Sequence, residues 1–547
     1  MQSGIRNMAR GAAVVAVLTM LTACGGGNSG PPTYTIGGTV TEISGSGLVL
    51  QNESGDDLPI SASGAFTFAT RMPSGTSYAV TVKGSPTSPL QGCTVSDGVG
   101  TIAATDVTNV SVTCESGYTV GGTVSGLQGS GLVLQLLAPG GHPSPGGHPA
   151  HDVGPPLQIT SNGPFTFDFV YTESLGFPTL AFVSQQPASP IQFCVIRNAA
   201  INIQAANVTD IEVGCSQHAY VANAGDNTVS AYTIDATSGA LAAVGTPVAT
   251  GTSPHAIVGT QDKKYVFVGN EGSNDISAFA VNSASGALTA VPGSPFPAGT
   301  DPKALALYQG DSNNYLYVAN AGSDTVSAFA VDPTGALTPL SPATFATGKS
   351  PSSIAVDHYL GYIYVANNGG SNDVSAFSVD TFTGLLTPLV GSPFPAGANP
   401  LSVALGAGGQ FLYTANPDAT NPSISGFNLI AAVPTPLSGS PFPLVVGPYI
   451  ATDRTGAYLY VTAGSGIVGY GIDGTTGMLT PLPGFPVVTG TAPHSVTFDT
   501  TNQFLYVAND GSADVSGFRF DASTGGLTPI TGSPFPAGNH PDFVTVF

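Results

Sequence analysis

Seven residues, each directly after a proline in a recurring context, hold most of the chemistry this chain offers: His255, Lys303, Ser352, Leu401, Tyr449, His494 and Asp542. A histidine can take a proton from water, a nearby carboxylate can orient it, and an ammonium group can stabilise a developing oxyanion. On that logic His494 or His255 is a candidate base, Asp542 orients His494, and Lys303, one repeat from His255, serves the oxyanion. Together they would activate a water and stabilise the tetrahedral oxyanion its attack creates. Carboxylates offer a second chemistry. Asp226, Asp275, Asp324, Asp373 and Asp514 recur in short polar segments, which either hold Ca²⁺ or form ordinary Asx turns. A third set, His142, His148, His151 and Asp152, lies in the Pro/Gly-rich stretch 138–156, which reads as a flexible loop or a loosely spaced transition-metal site.

The elements that must position these groups come from a repeat. Tyr-Val-Ala-Asn or a close variant begins at Tyr220, Phe267, Tyr317, Tyr364, Tyr413, Tyr460 and Tyr506, at intervals of 46–50 residues. Repeats of that length built from short strands predict a propeller, in which each repeat buries its faces against its neighbours. The third repeat gives the unit: strand A at 302–308, B at 314–320, C at 324–332 and the start of D at 337–340. Strand A lines the central channel, and the D–A and B–C connections share one face, so the seven post-proline residues ring the channel mouth. The chain enters at a B strand near 218–223 and ends on an A strand at 540–547. Joined, these make one composite blade, close a ring of seven and hide the sheet edges. The recurring asparagines (Asn223, Asn270, Asn320, Asn367, Asn416, Asn509) are expected to satisfy backbone groups where strand B ends.

Ahead of the propeller lie two related segments. YTIGGTV at residue 34 returns as YTVGGTV at residue 118, and each copy carries two cysteines 21 apart. Alternating apolar positions and frequent turn residues predict two small immunoglobulin-like β-sandwiches. The repeated spacing favours disulfides Cys93–Cys114 and Cys194–Cys215 among three possible connectivities. The expected layout is an all-β chain: 1–23 signal peptide, 24–33 anchor and tether, 34–116 and 117–216 sandwiches, and 217–547 seven-bladed propeller. Arg6 and Arg10 precede a short apolar core, as in an export signal. Net charge is −21 and charged residues are 8% of the chain, which leaves no basic surface for nucleic acid.

Two resemblances add to this reading. Leu21-Thr22-Ala23-Cys24 resembles a bacterial lipobox, which implies cleavage before Cys24 and lipidation of its thiol. The following Gly25 implies an outer-membrane lipoprotein, inserted in the bilayer through its lipid. The blade pattern of Pro-x-x-hydrophobic, Tyr-Val-Ala-Asn, Val-Ser-Ala-Phe and Thr-Gly-x-Leu-Thr resembles the YVTN-repeat and lactonase-type seven-bladed propellers of bacteria. Some members of that family hydrolyse lactones, 6-phosphogluconolactone included; others are exported proteins with no assigned activity. The comparable enzymes place arginine next to histidine here, whereas Thr-Ala-Pro-His494 and Thr-Ser-Pro-His255 lack one. The leading expectation is therefore an anchored propeller whose top face binds a small molecule or protein. A lactone hydrolase and a purely structural envelope protein are the alternatives.

Overall fold

The computed structural model describes residues 31–53, 55–137, 155–167, 180–201, 206–310, 313–430, 432–443 and 447–547. The export signal, Cys24 and the His142/His148/His151/Asp152 stretch lie outside the described residues. The fold is all-β, and the chain divides into two compact units, Met1–Gly117 and Tyr118–Phe547.

In the first unit two four-stranded sheets face each other. One has the order Gly64–Thr67, Ile36–Thr41, Val107–Ser116, Gln91–Ser96, and the other Asp56–Ile60, Leu48–Asn52, Ser77–Gly84, Val99–Thr101. Alternation along the strands sends Ile36, Val40, Val110 and Val112 from one sheet against Leu48, Leu50, Tyr78 and Val80 from the other. Strand Ile36–Thr41 runs parallel to Val107–Ser116. Cys93 and Cys114 face each other in the adjoining antiparallel pair and are bonded. The same arrangement recurs at the start of the second unit. There Val120–Ser125 runs parallel to Val208–Gly214, and Cys194 is bonded to Cys215.

The rest of the second unit is seven antiparallel sheets. Strands A run Pro254–Gly259, Pro302–Gln309, Pro351–Asp357, Ser402–Gly406, Ile450–Thr452 and Pro493–Phe498 in blades two to seven. Blade one takes its strand A from the C-terminus, Pro541–Val546, which pairs with strand B Gln217–Asn223. Each strand A packs beside the next all the way round, and Pro541–Val546 touches both Pro493–Phe498 and Pro254–Gly259. The cores lie between blades rather than within them: seven apolar clusters each draw on two neighbours.

The motif tyrosine explains the repeat length. In six blades its buried hydroxyl donates to a carbonyl at the C–D turn of the next blade, at 2.6–2.9 Å: Gly286, Gly384, Ala432, Gly477, Gly525 and Gly239. The turn glycine is needed there. At Gly525, for example, φ is +71° and a Cβ would sit 2.6 Å from the Tyr458 ring. Blade five lacks the Thr-Gly turn, and Ala432 takes the same left-handed conformation at φ +65°. Phe267 stands where the hydroxyl would be in blade two.

The asparagines depart from expectation. Their amide donates mainly to a strand-C serine hydroxyl, as Asn270 to Ser277 and Asn509 to Ser516, both 2.9 Å. Only Asn223 and Asn320 also accept a backbone N–H, from Gly538 and Gly299. Side-chain pairing wins because the strand-B backbone at these positions already has its ladder partners.

Two buried cations join the second sandwich to the propeller. The Lys263 amine, in the A–B turn of blade two and 2% exposed, donates to the carbonyls of Phe193 and Ser216 at 2.9 and 3.0 Å. Arg197 reaches across to the carbonyls of Val281 and Lys263. Burial, with the Arg197 and Arg454 charges adding to it, pushes the Lys263 ammonium down to about 7. The unfolded chain keeps that proton up to the ordinary lysine value, so between pH 7 and about 10 it binds more protons than the folded chain. Stability should therefore rise with pH across that window, by on the order of 1 kcal/mol per unit from this group, and be flat below it. Urea midpoints at pH 7, 8 and 9 check this, and Lys263→Met should flatten the slope.

Candidate functional site

Each blade enters strand A at the channel mouth through a proline, and the side chain that follows it faces the axis. Consecutive blades therefore present His494, Asp542, His255, Lys303, Ser352, Leu401 and Tyr449 as neighbours round a ring. Ring closure sets Asp542 between the two histidines. Its Oδ2 lies 2.9 Å from Nδ1 of His255, and its Oδ1 lies 3.0 Å from Nδ1 of His494. Burial pushes the Asp542 carboxyl up, but the hydrogen bond to His255 and the two imidazoles beside it outweigh that and hold the group well below the usual carboxylate range. An ionised carboxylate only accepts, so His255 must donate through Nδ1–H, which leaves Nε2 as its basic nitrogen. The next residue round the ring, Tyr449, packs against His494 with centroids 4.6 Å apart and ring planes tilted by 49°, and places its hydroxyl 3.4 Å from Nε2. Burial, then the charges of Asp542, Asp510 and Glu271, push the Tyr449 phenol up, so it stays neutral.

Below this ring lies a cavity of about 130 Å³ lined by His255, Lys303, Ser352, Leu401 and Tyr449 among others. Its walls are tied together by serines two places after the proline. Ser353, Ser402 and Ser495 each accept a backbone N–H from the neighbouring strand A, those of Val403, Ile450 and Val544, at 2.9–3.3 Å.

Of the residues singled out for catalysis, His255, His494 and Asp542 gather, and Lys303 lines the cavity with His255, with altered pairings. Asp542 serves His255 as well as His494. Lys303 is not an unpaired cation: its ammonium lies 2.6 Å from Glu271 and 3.5 Å from Asp301, which offset its charge. The signal for the shared carboxylate was present in the chain ends, because a composite blade one must sit between blades seven and two. The Glu271–Lys303 pair is a loop contact that repeat spacing does not encode.

The aspartates expected to form a cation rim do not converge. Asp275, Asp373 and Asp514 each accept from the asparagine of their own blade at 2.6 Å. Asp226 accepts from Asn539, and Asp324 from Ser350 and Lys349. Each is consumed in a contact of its own, three of them within one blade. Among the described residues, one group of metal-ligating types gathers, and it is His255, His494 and Asp542. The two propeller arginines stand away from the mouth. Arg454 caps an A–B turn by donating to the Asp499 carbonyl, and Arg519 lies over the Phe504 ring.

Fold and site together define a seven-bladed propeller with its candidate chemistry at the axial mouth. The family model described as Lactonase, 7-bladed beta-propeller matches residues 195–301, 296–405 and 446–544, more than half of the chain, and the chain belongs to that family. No curated protein matches it. A candidate 6-phosphogluconolactonase from Bacteroides uniformis is similar in structure, at 16% identity and a TM-score of 0.53, over 61% of this chain and 99% of that one. Another from Bacteroides fragilis is similar at 19% identity and a TM-score of 0.52, over 61% and 98%. The periplasmic gluconolactonase of Pseudomonas aeruginosa is similar at 18% identity and a TM-score of 0.50, over 60% and 99%. At these identities the likeness is one of fold.

Proposed function

We propose that this chain is an outer-membrane lipoprotein whose propeller hydrolyses small, unphosphorylated lactones at the channel mouth. The observation that carries the reading is the 2.9 Å hydrogen bond from His255 to Asp542 at the edge of the cavity. Nε2 of His255 takes a proton from water as the water oxygen attacks the lactone carbonyl. The ammonium of Lys303 faces the resulting oxyanion, and the ring C–O bond breaks as the alkoxide recovers the proton from Nε2. Family membership supports the reaction class, and the residues at the mouth support the substrate class. A cavity of about 130 Å³ is close to the roughly 150 Å³ that admits a benzene ring, so it suits one small ring. With no arginine at the mouth, Lys303 held by Glu271 and acidic loops around it, a phosphate would meet a repulsive field.

The test is a lactone panel with the purified chain. Unphosphorylated five- and six-membered lactones are expected to exceed 6-phosphogluconolactone by at least about tenfold in kcat/KM, a difference of ~1.4 kcal/mol in transition-state binding. Preference for the phosphorylated ring, or no turnover of any lactone, would refute the assignment. The anchor rests on Leu21-Thr22-Ala23-Cys24. Radiolabelled palmitate should enter the wild-type protein and the outer-membrane fraction but not Cys24→Ser, and equal labelling of both would remove it.

A further inference from the structure

We propose that His255, His494 and Asp542 form a binding site for one divalent transition-metal ion of the Zn²⁺ or Co²⁺ class. One donor atom from each of the three lies within 4.8 Å of the others; Nδ1 of His255 is 2.9 Å from Oδ2 of Asp542, and Nδ1 of His494 is 3.0 Å from Oδ1. Bonds of about 2.0 Å in a tetrahedral shell set donors about 3.3 Å apart, a few tenths of an ångström beyond each of these two separations.

Hydrogen bonding accounts for one of these separations and not the other. His255 donates to Asp542 with good geometry. Nδ1 of His494 is buried and has no partner in hydrogen-bond alignment, although it lies 3.0 Å from Oδ1. A buried imidazole nitrogen aimed at a carboxylate but off the hydrogen-bond axis is left unsatisfied, and a cation placed where the three atoms converge satisfies it. The outer shell agrees. With Nδ1 on a metal, Nε2 of His494 carries the proton, and the neutral Tyr449 hydroxyl at 3.4 Å is the acceptor it faces. All three ligands open the same strand in adjacent blades, so the ring itself fixes their geometry. Two imidazoles and one carboxylate select a borderline transition metal over Ca²⁺ or Mg²⁺.

This inference does not rest on lactone hydrolysis. The ion and the Nδ1 protons compete for the same atoms. A metal on Nδ1 of His255 moves its remaining proton to Nε2, so the loaded chain lacks the base proposed above.

The test uses the full chain in detergent, stripped with chelator and titrated with Co²⁺ while bound metal and visible absorption are measured, with no substrate present. The wild type is expected to take up one ion more than His494→Gln and His255→Gln, with intense four-coordinate Co²⁺ bands that both variants lose. His148→Ala/His151→Ala is expected to keep those bands. Equal uptake by wild type and both channel variants, or loss of the bands only in His148→Ala/His151→Ala, would overturn the site. Melting curves establish that each variant is folded. Because uptake is read without a lactone, failure of hydrolysis leaves this result intact, and failure of uptake leaves the hydrolysis assignment to its own panel.

Discussion

His255→Ala is expected to lower kcat for lactone hydrolysis by about 10²–10⁴-fold, the contribution of a positioned general base. KM should move far less. The other cavity walls, Lys303, Ser352, Leu401 and Tyr449 among them, stay when one imidazole is removed. The substitution removes the hydrogen bond to Asp542 and leaves a void in its place, so added imidazole should restore part of the rate. Initial-rate measurements across lactone concentration give both constants. A variant that keeps wild-type kcat would remove His255 from the reaction and shift attention to His494, whose Nε2 is the nitrogen within reach of Tyr449.

Phe547→Ala is expected to destabilise the propeller by about 3–5 kcal/mol, as for other buried aromatic truncations. The terminal ring is 6% exposed and stacks on Tyr220 with centroids 5.2 Å apart. Gly259 of blade two is bare beneath it, since a Cβ there would come within 1.9 Å of the Phe547 ring. The backbone of Phe547 also exchanges both its hydrogen bonds with His218, at 3.0 and 3.2 Å. One residue thus ties the closing strand to blade one and packs against blade two. Loss of that wedge should lower the urea midpoint and expose the sheet edge at Gln217–Asn223 to pairing with other chains. An unchanged midpoint would mean that the ring is held by the other interblade cores alone.

Much of this was legible in the residues, for identifiable physical reasons. Blade number and ring closure follow from repeat spacing and from which strand each chain end supplies, because a propeller buries its faces only between neighbours. The mouth residues were legible because a proline marks the start of each strand A and fixes which side chain comes next. Partner choice was not. Lys303 stands in the sequence as an unpaired cation, but Glu271 from a B–C loop pairs with it. The rim aspartates could have shared an ion, but the distance between blades leaves each with its own asparagine or loop N–H. The tyrosine hydroxyls were invisible as interblade ties, because their acceptors lie 64–68 residues on, or across the closure. The buried Lys263 reads in sequence as one of two surface lysines in a turn. Its burial comes from the second sandwich docking on that turn.

The proposed chemistry depends on Asp542, delivered by the closing strand, acting through His255. A double-mutant cycle on kcat/KM with His255→Ala, Asp542→Asn and the double variant measures that coupling directly. If the carboxylate works by orienting the imidazole, the double variant should be no slower than His255→Ala alone. Losses that simply add would contradict this, since they would mean that Asp542 and His255 contribute independently.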